Sequence, residues 1–144
     1  MFNANKLKEI MLNFEHNVLR PYEIPGNRLA RDMYDKLTLP WQVPSPVSSF
    51  PESSFVRHDF DRNGVLSNGE DFFGGDQPMK LTQIEEGLLT SSMVTRWRAA
   101  HPELVGTEKD CVKSLVAELR EALDGREEVR AGAATVVLLF KKTA

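Results

Sequence analysis

A chain of 144 residues, 41% of them hydrophobic, has the size and apolar content of one domain with a true core. Its net charge of −3 and scattered basic residues exclude an electrostatic footprint for nucleic acid or an anionic membrane. A single cysteine, Cys111, excludes an internal disulfide and fits a reducing, cytoplasmic setting. The amino-terminal MFNANKLKEIMLNFEHN lacks the apolar stretch of a signal peptide, and no segment has the length of a membrane span.

Residues 4–19 read as an amphipathic helix with Leu7, Ile10, Met11, Phe14 and Val18 on one stripe. Arg20-Pro21 ends it, and PYEIPGN forms a turn. Asn27 is placed to cap a short second helix, RLARDMYDKL, whose apolar residues are Leu29, Met33, Tyr34 and Leu37. The proline-rich TLPWQVPSPVSSFP that follows holds Trp41 and Phe50. Those rings are costly to leave in water, so an extended segment laid across a core is expected.

Residues 53–60 alternate enough to form a strand. The overlapping stretch DFDRNGVLSNGE, residues 59–70, fits the calcium-loop template: Asp59, Asp61, Asn63, Gly64 at the sharp turn and Glu70 at the twelfth position. A hard cation takes several such oxygens. The flanks do not suit an EF-hand, because Pro51 opposes an entering helix and Gly74-Gly75 stops an exiting one. The same residues also read as a polar hairpin turn.

Residues 79–102, MKLTQIEEGLLTSSMVTRWRAAHP, form the centre of the sequence. Leu81, Ile84, Leu88 and Leu89 share a helical face, and Thr82 with Glu85 reads as a capping box. A second amphipathic segment carries Met93, Val94 and Trp97 beside Arg96 and Arg98, and His101-Pro102 closes it. A core tryptophan flanked by solvated arginines is one reading; a ligand site is the other. Residues 108–123 are the strongest helix, with Val112, Leu115, Val116, Leu119 and Leu123 on one face and Gly125 at its end. The all-apolar stretch at residues 133–140 reads as a strand buried on both faces.

Taken together, RPYEIPGNRLARDMYDKLTLPW, FPESSFVR, GEDFFGG, LTSSMVTRWRAAHPELVGTEKD and a final LLFKK resemble the carboxyl-terminal half of fungal S-adenosylmethionine-dependent methyltransferases of the trans-aconitate methyltransferase type. The resemblance runs over nearly the whole chain in the family's order. It implies a truncated class I methyltransferase-like fold of α+β class, with helices on a small antiparallel sheet. The glycine-rich loop that holds the cofactor in full members has no counterpart here, so neither S-adenosylmethionine binding nor methyl transfer is expected.

On this resemblance the chain is the part that roofs the acceptor pocket. Tyr22, Arg28, Trp41 and Trp97 are then substrate-binding residues, and Arg96 and His101 are the catalytic candidates. An arginine pairs with a carboxylate or enolate, a tryptophan stacks on a conjugated body, and an imidazole moves protons near neutral pH. The expected partner is a small organic metabolite, turned over if at all by a cofactor-free cyclisation, isomerisation or dehydration. The alternatives are a non-catalytic partner of an intact methyltransferase or pathway enzyme, and a calcium module through Asp59, Asp61, Asn63 and Glu70. Without the family's fifth strand, residues 133–140 keep one edge on residues 53–60 and leave the other bare. A homodimer or heteromer through that edge is therefore expected.

Overall fold

The computed structural model describes residues 4–65 and 73–144. Among them the order is α1 (Ala4–Asn13), α2 (Pro25–Arg31), β1 (Val56–Phe60), β2 (Gln77–Lys80), α3 (Leu81–Leu89), α4 (Ser92–Ala100), α5 (Cys111–Ala122), β3 (Glu128–Ala131) and β4 (Thr135–Leu139). The class is α+β. The single sheet expected under the helices is instead two ladders of two strands, β1 with β4 and β2 with β3. The chain forms two compact units, one from Met1–Ile24 with Pro78–Ala131, the other from Pro25–Gln77 with Gly132–Ala144.

In the first unit helices pack on helices. Leu7 and Phe14 of the amino-terminal stripe are buried, and Ile10, Met11 and Val18 pack beside them. The helix does not run through as a plain α-helix. Phe14–Val18 is a π-helix, closed by the Leu19 N–H donating to the Phe14 carbonyl at 2.9 Å. Such wide turns are rare and shift the side chains beyond them on the helix face. Leu81, Val94, Val112, Leu115, Val116, Leu119 and Leu123 complete the centre of the core, with Val129 of β3 against its edge.

The helix ends follow from local chemistry, with one correction. α3 starts at Leu81, and the Gln83 side chain, not Glu85, accepts from the Lys80 N–H at 2.9 Å. The capping register therefore lies two residues earlier than Thr82/Glu85. The Leu81 N–H is taken by the Glu127 carbonyl at 2.9 Å, which ties the start of the helix to the chain before β3. α5 begins behind Asp110, whose carboxylate accepts the Val112 N–H at 3.0 Å. Gly125 at φ 79° donates to the Arg120 carbonyl at 2.9 Å, a left-handed cap that a Cβ would strain.

The second unit differs more from expectation. Its helix α2 starts at Pro25, ahead of Asn27, because proline suits the first helical position. It stops at Arg31 rather than running on through residue 37. Met33 and Tyr34 take left-handed backbone angles of 51° and 58°, and the Arg57 Nη2 donates to the Met33 carbonyl at 2.6 Å. Residues 40–50 are a chain of turns, not an extended segment. They bring Trp41 to ring-centre distances of 5.2 Å from Phe55 and 5.9 Å from Phe140.

β1 pairs with β4 antiparallel, from Val56 opposite Leu139 to Phe60 opposite Thr135. The burial of β4 on both faces does not occur. Thr135 to Leu138 are half-buried and Leu139 is 52% exposed. A ladder of only two strands supplies too few neighbours to cover both faces of its apolar member.

Candidate functional site

Four of the six organic-site candidates meet in the first unit. The PYE turn after the π-helix delivers Tyr22, and α4 with its C-cap delivers Arg96, Trp97 and His101. Tyr22 Oη and His101 Nε2 share a hydrogen bond of 2.9 Å. With the phenol donating, Nδ1 carries the ring proton and faces a Glu103 oxygen 3.9 Å away. The Trp97 ring lies 4.6 Å from the imidazole and is itself buried.

Arg96 is engaged with the protein's own backbone. Its Nε donates to the Tyr22 carbonyl at 2.6 Å, and its Nη2 reaches Ser92 Oγ at 3.4 Å. The guanidinium thus fixes the backbone that carries the phenol. Arg28 pairs with Asp32 at 3.8 Å, one helical turn on, in the second unit. Trp41 belongs to the aromatic trio with Phe55 and Phe140, whose rings stack at 5.5 Å. Each of these contacts lies within the second unit.

Trp97 also forms one wall of a cleft of about 190 Å³. The apolar floor is Ile10, Phe14, Val18, Trp97 and Leu115, and the polar rim is Asn13, Lys109, Ser114 and Glu118. Arg96 and His101 do not line it. The cleft is below the ~300–1,000 Å³ of drug-sized pockets, which limits an occupant to a single ring or so. Phe14 and Val18, the first and last residues of the π-helix, both face this space. π-turns occur often at functional sites. Cys111 contributes a buried thiol whose pKa burial pushes up to about 11, with the Asp110 charge adding to the effect. It is a packing group rather than a nucleophile.

Beneath α4, Asp110 is fully buried. Its Oδ2 accepts from Arg98 Nη2 at 2.7 Å and from the Gly106 N–H at 3.0 Å. Burial pushes this carboxyl up, but the Gly106 and Val112 N–H groups and the Arg98 charge outweigh it and hold the carboxyl below its usual range. The sequence signal for Asp110 was its place just before the strongest helical pattern. Nothing in the sequence marked Lys109 or Glu118 as rim residues, because each reads as an ordinary solvated charge.

The calcium template falls partly outside the described residues, since Glu70 lies there. The described members do not converge on one point. Asp59 accepts from Arg57 at 2.8 Å and from Arg62 at 2.6 Å, while both Asp61 oxygens lie within reach of the Gly75 N–H, at 3.2 and 2.9 Å. Two arginines on the first ligand carboxylate do not fit a divalent cation. Among the described residues no group of three or more His, Cys, Asp or Glu side chains is placed to hold a metal ion.

Fold and site together define an α+β protein whose first unit carries a small amphipathic cleft beside a tyrosine–histidine pair. No family model, no curated protein and no solved structure matches the chain. Among the described residues no helix is long and apolar enough to cross a membrane.

Proposed function

We propose that this chain is methyltransferase-like and binds a small organic molecule against Trp97 without S-adenosylmethionine. The Tyr22–His101 pair lies outside the cleft, against Trp97, so the reading is one of binding; a cofactor-free isomerisation, dehydration or cyclisation would require a ligand that also reaches His101. The observation that carries the reading is the double role of Trp97. One ring both walls the cleft and packs, tilted by 40°, against the histidine that holds the Tyr22 phenol. The methyltransferase part of the reading rests on the sequence resemblance; the last strand lies antiparallel beside residues 56–60.

The test is a titration followed at the Trp97 indole N–H, assigned with Trp41→Phe. Single-ring organic compounds should shift that resonance, while S-adenosylmethionine at micromolar concentration should give no heat and no shift. Micromolar binding of S-adenosylmethionine would overturn the reading.

A second reading, association with a second copy of the chain, is favoured by β4. It is paired on one edge only among the described residues, and Leu139 and Val56 are exposed. Residues 131–140 carry no charge, so two antiparallel copies would meet no repulsion along the edge. Light scattering at micromolar concentration should then give a dimer mass that Val137→Lys reduces to the monomer value. A monomer without the substitution would eliminate this reading.

A further inference from the structure

The cleft has a direction. Cys111, Leu115 and Glu118 recur along one face of α5 at spacings of four and three residues. Seven residues of α-helix span about 10 Å, so Lys109, just before the helix, and Glu118 mark opposite ends of the groove. Among the described residues that line it, Lys109 is the only cation and Glu118 the only anion. Neither side chain makes an ion pair or hydrogen bond with another described residue. Between them lie Phe14, Trp97 and Leu115, two aromatic rings and an aliphatic branch. The other rim groups are already engaged in part. The Asn13 amide oxygen accepts from Asn17 at 2.7 Å, and the Ser114 hydroxyl donates to the Glu108 carbonyl at 2.9 Å.

We propose that the cleft takes a small aromatic acid, with its carboxylate on Lys109, its ring between Phe14 and Trp97, and a hydroxyl or amine at the far end on Glu118. This rests on the small-molecule reading above and names the ligand class for it. Each end selects by charge. The Lys109 ammonium favours an anion, and the Glu118 carboxylate rejects a second anion while accepting from a donor. The volume of about 190 Å³ admits one ring with a short chain and excludes fused polycycles.

The test uses the full chain and four probes of one size: 3-(4-hydroxyphenyl)propanoate, tyramine, 4-ethylphenol and benzene-1,4-diacetate. Binding is followed at the Trp97 indole resonance. The hydroxy acid is expected to bind at submillimolar concentration, and the amine, the neutral phenol and the diacid at least tenfold more weakly. Lys109→Glu should reverse the order of acid and amine, and Glu118→Gln should bring the diacid to within a few-fold of the hydroxy acid. Both positions are exposed, so the fold should persist, as circular dichroism would show. If the neutral phenol binds as well as the hydroxy acid, or Lys109→Glu leaves the order unchanged, the ligand class is wrong while small-molecule binding survives. If no probe moves the Trp97 resonance, both readings fall together.

Discussion

Of the fourteen buried apolar side chains among the described residues, thirteen lie in the first unit and only Met33 lies in the second. The second unit is held instead by the β1/β4 ladder, three packed aromatic rings and a surface ring of charge. In that ring Arg57 and Arg62 each pair with both Asp35 and Asp59, at 2.6 to 2.9 Å. The two units thus rest on forces that respond to different conditions. Apolar burial is insensitive to salt and to pH, whereas exposed ion pairs are screened and titrated away. A site that must keep its geometry belongs on the first kind of support, and the Tyr22–His101–Trp97 cluster is there.

Substitutions can sharpen or break this comparison. The largest effect is expected from Leu81→Ala, which empties a fully buried position in the first unit. It should cost about 3 kcal/mol in urea unfolding. Next comes Asp110→Asn, which keeps the shape but removes the charge opposite Arg98, at a cost of about 2 kcal/mol because Arg98 is partly solvated. Equal effects of both substitutions on the β1/β4 amides would show that the units unfold as one, and would break the comparison.

Tyr22→Phe should cost about 1 kcal/mol through the lost hydrogen bond to His101. It should also move the His101 Nε2 resonance seen by NMR, since the imidazole would lose its phenol partner.

The smallest effect concerns the charged ring of the second unit. The Arg62 hydrogen bond, with the nearby arginine charges, holds the Asp35 carboxyl below its usual range. At Asp59 desolvation is the largest single influence and acts the other way, but the Arg57 and Arg62 hydrogen bonds and charges together prevail. A carboxyl with a lowered folded-state pKa contributes fully above its free value of ~3.9 and loses that contribution as pH falls through the lower folded value. Amide protection factors in β1 and β4, taken relative to the intrinsic exchange rate at each pH, should therefore fall below about pH 4, and modestly in ~1 M salt at neutral pH. In the same salt the exchange of the α5 amides should not change.

Helices α1, α3, α4 and α5 were legible because each carries an apolar stripe of its own, from Leu7 to Phe14 or from Val112 to Leu119. The ends of α3 and α2 were less so. Gln83 and Glu85 both suit a capping position, and Pro25 and Asn27 both suit a helix start, so position along the chain does not choose between them. β2 and β3 are four residues each and too short to show alternation. Of the site candidates, Tyr22, Trp97 and His101 do come together. Arg96 joins them as a backbone anchor, and Arg28 and Trp41 are held within the other unit.

What the sequence by itself determined is the local order: where apolar stripes make helices, where Gly125 stops one, and that the final apolar run is a strand. These depend on neighbours within a few positions, which the sequence states directly. Only the tertiary structure decided which partner each polar group meets. Arg96 could have faced a ligand, but the Tyr22 carbonyl lies 74 residues away in sequence and 2.6 Å away in space. Lys109 and Glu118 became the two ends of one cleft because α1, with its π-turn, packs beside α5. Such pairings join distant stretches, and no pattern of neighbouring residues records them.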